Sequence, residues 1–241
     1  MGSLTERYER VCERMASAAR RAGREPDGVR LVAVSKSRPF ADIHELYALG
    51  QRDFGENRVE EAAHKIGAAR ATHESISWHM IGHIQSRKAR AVAADFDWAH
   101  SVESASLAQK LGQAANQAGR TLPVLLECNV SGEEAKFGLA ADRCDRDPAR
   151  WDSLCAAVEL ILAQPGVRVR GLMTMAPLTP LPEGARPVFI KLRQLRDRLA
   201  ARFSAADWGE LSMGMTDDFE AAIEEGATMV RIGRAIFAAF S

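Results

Sequence analysis

The sequence predicts a (β/α)8 barrel of the α/β class, also called a TIM barrel, in one domain that spans residues 1–241. Eight short apolar segments alternate with helical patterns along the chain, which is typical of parallel βαβ units. No polar linker or low-complexity tract divides the 241 residues. The first predicted strand is followed by Ser-Lys-Ser-Arg at 35–38, where a doubly wound sheet would carry a glycine-rich turn. These observations favour the barrel.

The composition excludes several classes of binding partner and indicates the cellular compartment. Hydrophobic residues make up 46% of the chain and charged residues 27%, which excludes a disordered or fibrous protein. The 32 basic and 32 acidic side chains balance, so no overall basic field is available for nucleic acid or an anionic membrane. Residues 1–25 lack the apolar core of a secretory signal, and apolar runs such as 122–126 and 158–163 are too short to span a bilayer. The four cysteines show no metal-ligand spacing. We therefore expect a cytoplasmic protein without nucleic-acid or membrane partners.

A helix is predicted before the first strand. Ser3 and Glu6 have the spacing of a capping box, and apolar residues recur at helical spacing as far as Gly23. The recurring residues are Leu4, Tyr8, Val11, Met15 and Ala18. Because the repeating unit of a barrel begins with a strand, this N-terminal helix is an extra element.

The repeating units follow in order. Strands are predicted at 31–34, 52–54, 78–81, 96–99, 124–128, 167–171, 211–213 and 229–232. Helical patterns between them include Pro39 to Gly50, 107–118, 154–162, 187–203 and 217–225. Functional groups of a barrel lie at the C-terminal ends of its strands, so the residues that follow these segments are the site candidates.

Lys36 is the most unusual residue at a strand end. It shares a face with Val32 and Val34, so it closes an apolar stripe that points into the barrel. A strand-end lysine commonly extends its amine to solvent. A lysine desolvated at the barrel mouth is instead an amine nucleophile suited to a Schiff base with an aldehyde.

The turns after the last two strands are candidates for a phosphate site. Residues 212–215 (Ser-Met-Gly-Met) and the pair Gly233-Arg234 offer a hydroxyl, backbone N–H groups and glycines that admit an anion closely. Barrels frequently bind phosphate at these two loops. Glycines also end strands for steric reasons, so either turn alone is weak evidence.

Arg231 alternates with Met229 and Gly233, so its guanidinium points into the barrel mouth. A buried arginine needs an acceptor. That acceptor is either a barrel carboxylate such as Glu127 or a ligand. A lysine, a phosphate cradle and an inward arginine together describe a site for pyridoxal 5′-phosphate (PLP).

Seven motifs, in order, give the chain a family resemblance between Leu31 and Phe237. The motifs are Leu-Val-Ala-Val-Ser-Lys at 31–36, Phe-Gly-Glu-Asn-Arg-Val-Glu-Glu at 54–61, Trp-His-Met-Ile-Gly-His-Ile-Gln at 78–85, Asn-Val-Ser-Gly-Glu at 129–133 with Lys-Phe-Gly at 136–138, Gly-Leu-Met-Thr-Met at 171–175, Leu-Ser-Met-Gly-Met-Thr-Asp at 211–217 and Val-Arg-Ile-Gly at 230–233. In these motifs the chain resembles the pyridoxal phosphate homeostasis proteins, also described as YggS-like or proline synthase co-transcribed proteins.

The resemblance implies a PLP barrel of fold type III, like the N-terminal domain of alanine racemase. It implies that Lys36 forms the Schiff base, that Arg231 faces the pyridine nitrogen and that Asn57 lies near the ring. Ser212 would give its hydroxyl, and Gly233 and Arg234 their backbone N–H groups, to the phosphate. No residue is assigned a catalytic role and no metal is expected.

The function implied by the resemblance is PLP binding and regulation of PLP supply without efficient turnover. Other B6 vitamers and transient client apo-enzymes are further candidate partners, and a monomer is expected. The alternatives are an amino-acid racemase of the same fold and a phosphate-binding, aldolase-like barrel without a cofactor. The racemase is disfavoured because its second base is a tyrosine from an additional domain, whereas Tyr8 and Tyr47 lie on helices away from the mouth.

Some residues depart from the family pattern, and one, Lys136, has two possible roles. Gln-Ser-Arg-Lys at 85–88 replaces the usual Gln-x-Asn-Lys, and Arg234 stands where many members have threonine. Lys136 is either a solvated loop lysine or a contact for the phosphate of an incoming vitamer. His79 and His83 are expected to be structural, since a strand and turn do not bring them together as a metal pair.

Overall fold

Eight parallel strands close into a barrel in the computed structural model, which describes residues 2–72, 74–133, 135–179 and 181–237. The strands are β1 (Arg30–Val34), β2 (Asp53–Glu56), β3 (Ser77–Met80), β4 (Trp98–Val102), β5 (Leu122–Asn129), β6 (Leu139–Ala140), β7 (Val167–Met173), β8 (Glu210–Ser212) and β9 (Met229–Ile232). The order is β4-β3-β2-β1-β9-β8-β7-β5, and pairing of β4 with β5 closes the ring. The two-residue β6 pairs with β5 outside this ring. The predicted barrel is confirmed.

Helices surround the barrel. They are α1 (Leu4–Arg21), α2 (Phe40–Ala48), α3 (Val59–Ala71), α4 (Ala89–Asp95), α5 (Ala105–Gln117), α6 (Pro148–Leu162), α7 (Arg186–Arg202), α8 (Phe219–Glu224) and α9 (Arg234–Phe237), with short 3-10 helices at Pro26–Gly28, Ser86–Lys88 and Pro182–Ala185. Within the described ranges, none of these helices has the length and apolarity required to cross a membrane.

The extra N-terminal helix α1 begins at the predicted capping box. The hydroxyl of Ser3 accepts from the N–H of Glu6 at 3.1 Å, and the N–H of Ser3 donates to the Glu6 carboxylate at 2.8 Å. The helix packs on α8 and α9 and buries Met15 and Ala18 against the core. An ion pair between Arg21 and Glu224, with 2.8 Å between nitrogen and oxygen, adds a polar contact to α8. Its position outside the ring leaves the barrel interior to the strands.

Most predicted strands overlap the observed ones closely, but the fourth begins later than expected. Phe96 is fully buried, yet it caps α4 and lies before β4, which starts at Trp98. The side chain of Asp97 accepts from the N–H of Trp78 at 2.8 Å, so the chain turns there before it enters the sheet. Burial of an apolar side chain is common to helix ends and strands, so the sequence pattern alone does not distinguish the two positions for Phe96.

Along each strand, successive side chains point alternately into the barrel interior and toward the surrounding helices. Val32, Leu125, Met173 and Met229 form an inner apolar cluster, with Trp98 packed against it. Neighbours of opposite parity, such as Ala33, belong to the core between strands and helices. Since Lys36 has the parity of Val32, it leaves β1 on the interior side, above the inner cluster.

Candidate functional site

A cavity of about 710 Å³ opens at the C-terminal ends of the strands. Its walls come from the turns after β1, β2, β3, β7, β8 and β9. Five of the six predicted site residues line it, namely Lys36, Asn57, Arg231, Gly233 and Arg234. Ser212 is fully buried and is not among the lining residues. The cavity therefore brings together most of the predicted site.

The turn that carries Lys36 is tight. Ser37 has a φ of +58°, and its N–H donates to the carboxylate of Glu61 on α3. The N–H of Arg38 donates back to the carbonyl of Ser35 at 3.1 Å. The Lys36 side chain itself is exposed and lines the cavity, so of the two alternatives left open by the sequence the structure favours an amine that reaches solvent. The turn lifts residue 36 above the last apolar layer of the interior, so water still reaches the amine.

A buried ion-pair cluster supports this turn from below. Lys65 of α3 donates to the Ser35 carbonyl at 2.7 Å, to Glu56 at 2.8 Å and to Glu61 at 2.9 Å. The Ser35 hydroxyl also donates to Glu56, at 2.6 Å. Burial raises the pKa of Glu56, while the bonds from Lys65 and Ser35 oppose that rise. The ends of β1 and β2 are thereby tied to α3.

Lys65 is not among the site residues predicted from the sequence. It lies three residues after Ala62 and four before Ala69, both on the buried face of α3, and is itself only 6% exposed. A lysine on the apolar stripe of a helix needs a buried anion. That spacing is the signal that could have identified it.

Arg231 is buried at the base of the cavity. Its Nη1 donates to the carbonyl and the hydroxyl of Ser212 at 2.8 and 2.7 Å, and its Nη2 donates to the Thr174 carbonyl at 2.9 Å. Among the described residues, Arg231 forms no ion pair with Glu127, and two carbonyl oxygens and a hydroxyl take the place of the carboxylate considered from the sequence. Burial lowers the pKa of Arg231 to about 10, with Glu127 and Asp218 opposing, and the guanidinium stays charged at neutral pH.

Thr216 supplies the hydroxyl that reaches the cavity from the turn after β8. It lines the cavity, and its Oγ1 accepts from the N–H of Ala235 at 3.3 Å, which joins this turn to α9. Ser212, four residues earlier, ends β8 with its side chain inside the barrel. The sequence shows two hydroxyls in this turn but not which one faces the cavity.

Gly233 and Arg234 complete the rim beside Thr216. A Cβ on Gly233 would lie 3.3 Å from the Cβ and the carbonyl oxygen of Val34, so β9 passes close to β1 there. The Arg234 side chain is exposed and pairs with the carboxylate of Asp217. Its charge is thus already partnered at the rim.

Lys136 and the two histidines lie outside the cavity. Lys136 donates to the Met175 carbonyl at 3.0 Å and pairs with Glu133, so it links two loops at the mouth. His83 stacks on Phe137 with ring centroids 4.5 Å apart, whereas His79 is fully buried in the barrel. The two histidines therefore do not share a face.

Comparisons with known proteins show the family and the fold to which the chain is similar. The family model "Alanine racemase, N-terminal domain" matches residues 8–240. The pyridoxal phosphate homeostasis protein of Pseudomonas aeruginosa is 41% identical over 239 residues, which cover 99% of this chain and 96% of that protein. PipY of Synechococcus elongatus, solved with PLP bound, is 37% identical with a TM-score of 0.79, covering 95% of this chain and 100% of PipY.

A more distant likeness concerns the fold alone. Alanine racemase of Clostridium difficile is 11% identical, with a TM-score of 0.66 over 95% of this chain and 56% of the racemase. The match to the family model and the identity to the Pseudomonas protein both extend over nearly the whole chain. The chain belongs to the family of pyridoxal phosphate homeostasis proteins, and it matches the alanine racemase N-terminal domain over nearly its whole length.

Proposed function

We propose that this protein binds PLP in the C-terminal cavity, holds it through Lys36 and serves PLP homeostasis without efficient catalytic turnover. The observation that carries the proposal is one cavity with an accessible lysine amine and a buried guanidinium among its lining groups. Support also comes from the name of the Pseudomonas relative and from PipY, which has been solved with PLP bound.

The residues present fit this cofactor. When bound, PLP supplies an aldehyde and an electron-withdrawing pyridine ring. Lys36 is the residue that would hold the aldehyde, because it is the lysine that lines the cavity. It makes no ion pair or hydrogen bond with the described residues that would compete for its amine.

The phosphate would lie against the rim formed by Thr216, Gly233 and Arg234. We assign the hydroxyl donor to Thr216, because it lines the cavity where Ser212 does not. The backbone N–H groups of Gly233 and Arg234 lie where β9 ends and α9 begins, so they can donate to an anion. Donation from Ser212 to the phosphate stays a prediction, and it depends on whether the Ser212 hydroxyl proton is available or is already bonded to another group.

Arg231 would face the pyridine nitrogen, with Asn57 beside the ring. A guanidinium only donates, so it leaves that nitrogen unprotonated and the ring a weak electron sink. Because the pKa of Arg231 remains near 10, this holds at neutral pH. Weak electron withdrawal suits a carrier better than an enzyme that removes α-protons.

Finer proposals rest on the family resemblance. They are a single domain over residues 1–241, a monomer in the cytoplasm, binding of other B6 vitamers and transient contact with client apo-enzymes. Light scattering of the purified protein tests the monomer, and titration with pyridoxine 5′-phosphate tests the vitamers.

Borohydride reduction of the protein with PLP, followed by peptide mapping, tests the proposed function. We expect visible absorbance that reduction removes, and a pyridoxyl group on Lys36. A stable adduct only on Lys136 or another lysine contradicts the assignment. Absence of binding in the visible spectrum would instead favour the aldolase-like barrel without a cofactor.

A further inference from the structure

A continuous chain of hydrogen bonds runs through the barrel interior and ends at Arg231. The Oδ1 of Asp53 lies 2.8 Å from Nε2 of His79, and Nδ1 of His79 lies 2.9 Å from Nε2 of His100. The Nδ1 of His100 lies 3.0 Å from Oγ of Ser212, which lies 2.7 Å from Nη1 of Arg231. The five residues come from β2, β3, β4, β8 and β9.

The middle of this series of hydrogen bonds is buried away from water. His79, His100 and Ser212 are fully buried, and Arg231 is 4% exposed. The ring of His79 also stacks on Trp98, with centroids 5.9 Å apart and planes inclined by 6°. Buried polar groups of this kind are stable only when each donor meets an acceptor.

The two ends set the direction of every bond between them. The guanidinium of Arg231 can only donate, and the carboxylate of Asp53 can only accept. Nε2 of His79 therefore carries a proton toward Asp53, with the Ser77 hydroxyl as a second neighbour at 3.2 Å.

Each imidazole has a single proton when it is neutral. Burial lowers the pKa of His79. Burial also lowers the pKa of His100 well below its usual range, and repulsion from Arg231 and from His79, whenever His79 is protonated, adds to this. Nδ1 of His79 then accepts from Nε2 of His100. Nδ1 of His100 in turn accepts the hydroxyl proton of Ser212.

The reverse arrangement conflicts with the same contacts. It would place the lone pair of Nε2 of His79 against the Asp53 carboxylate at 2.8 Å. Two acceptors at that distance repel each other. It would also free the Ser212 proton, which is the condition for Ser212 to donate to a phosphate.

We propose that Asp53, His79 and His100 are positioning residues that orient the Ser212 oxygen as an acceptor for Arg231, and that Ser212 does not donate to the phosphate. If Nδ1 of His100 did not accept the Ser212 proton, the hydroxyl could rotate that proton toward the guanidinium. Ser212 would then lose the hydrogen bond that it accepts from Arg231. The chain of bonds stands on the protein alone, whereas its effect on ligand binding rests on the proposed function.

Nitrogen NMR of the ligand-free protein, labelled with ¹⁵N-histidine, tests the direction of the bonds. We expect His79 and His100 to be neutral Nε2–H tautomers across neutral pH, where Asp53, Asp97, Arg30 and Arg231 are the charged groups acting on them. Ser212→Ala should move the Nδ1 signal of His100. Ser101→Ala is the matched control, since Ser101 is buried beside His100 but donates to the Gly82 carbonyl. A proton on Nδ1 of His100 overturns the proposal.

Measured affinities for PLP and for pyridoxal, which lacks the phosphate, distinguish a hydroxyl that positions Arg231 from a hydroxyl that donates to the phosphate. Ser212→Ala should weaken both ligands by the same factor, because it disturbs Arg231, and Ser212→Thr should restore both. Thr216→Ala should weaken PLP alone, by roughly ten- to hundredfold for a lost bond to a charged group. Loss of PLP affinity alone in Ser212→Ala, or no loss of either ligand, overturns the positioning role. If the wild-type protein binds neither ligand, the proposed function fails, while the NMR result still decides the chain of bonds.

Discussion

Lys65 donates to the carbonyl oxygen of Ser35 over 2.7 Å, directly before the lysine that lines the cavity. The same ammonium binds Glu56 and Glu61, and Glu61 also accepts the N–H of Ser37 on the other side of Lys36. Both neighbours of Lys36 in the chain are thus held by one buried cluster. The position of the Lys36 backbone therefore depends on a residue of α3 that does not itself line the cavity.

Replacing Lys65 by methionine tests this dependence. The change leaves Glu56, which is fully buried, without its cation, so we expect a loss of about 3–5 kcal/mol in the free energy of unfolding. Urea denaturation measures it. Lys110→Met on the exposed face of α5 is the control, and equal stability of the two variants would contradict the buried role.

Replacing Lys36 by alanine should remove the covalent link to PLP. We expect loss of the visible band that borohydride reduces, with weaker non-covalent binding retained, because Thr216, Gly233 and Arg231 remain in the cavity. Equilibrium dialysis and spectra measure the two effects. Lys110→Ala should behave as wild type, and a band of unchanged intensity in Lys36→Ala would show that another lysine is bonded.

Glu127 should make stability depend on pH. Its pKa is raised to about 7, first by burial and then by Glu103, with Arg231 opposing. The folded state then keeps a proton that the unfolded chain releases, so the free energy of unfolding falls as pH rises from 4.5 to about 7. Glu127→Gln has no such proton and should be more stable than wild type above this range, by at most about 3 kcal/mol. Thermal unfolding at several pH values measures the effect.

The control for this pH series is Glu159→Gln, which changes an exposed carboxylate on α6. It should follow the wild-type curve throughout. If Glu127→Gln follows that curve as well, Glu127 is ionised in the folded protein and its burial has no effect on the pH dependence.

Gly214→Ala should distort the turn that carries Thr216. Gly214 has a φ of +95°, and an added Cβ would lie 2.6 Å from the Cβ of Ala222 in α8. We expect a loss of about 1–3 kcal/mol in stability and weaker PLP binding. Gly67→Ala on the exposed face of α3 should instead stabilise by about 0.5–1 kcal/mol, because the site is helical and open. Destabilisation of both variants alike would show that the effect is not specific to the turn.

Racemisation of alanine should be absent or very slow. A second base on the opposite face of the substrate is required, and neither tyrosine of the chain supplies one. The hydroxyl of Tyr8 contacts Gln51 at 3.3 Å, and that of Tyr47 accepts from the N–H of Ser75 at 3.1 Å, both outside the cavity lining. Lys36 alone would return a proton to the face from which it came. Chiral chromatography after incubation with PLP measures this, and efficient interconversion of L- and D-alanine would establish the racemase instead.

The barrel and the inward direction of Lys36 and Arg231 were predictable because they depend on local patterns. Alternation with a period of two assigns each strand residue to one side of the sheet, and the repeated strand–helix pattern implies the closed ring. Membership of the family was likewise readable from short motifs. In contrast, the start of β4 at Trp98 was missed, because apolar burial does not distinguish a helix end from a strand.

Only the tertiary structure decided what the polar side chains contact. Ser212 meets His100, 112 residues away, and Arg231 meets the carbonyl of Thr174, 57 residues away, in place of the Glu127 carboxylate. It also decided that Thr216 faces the cavity and that Lys65 supports the turn at Lys36. Such contacts depend on which strands become neighbours across the interior and how far each side chain reaches. Residue spacing along one strand fixes the side of the sheet but carries no information about the partner that stands opposite.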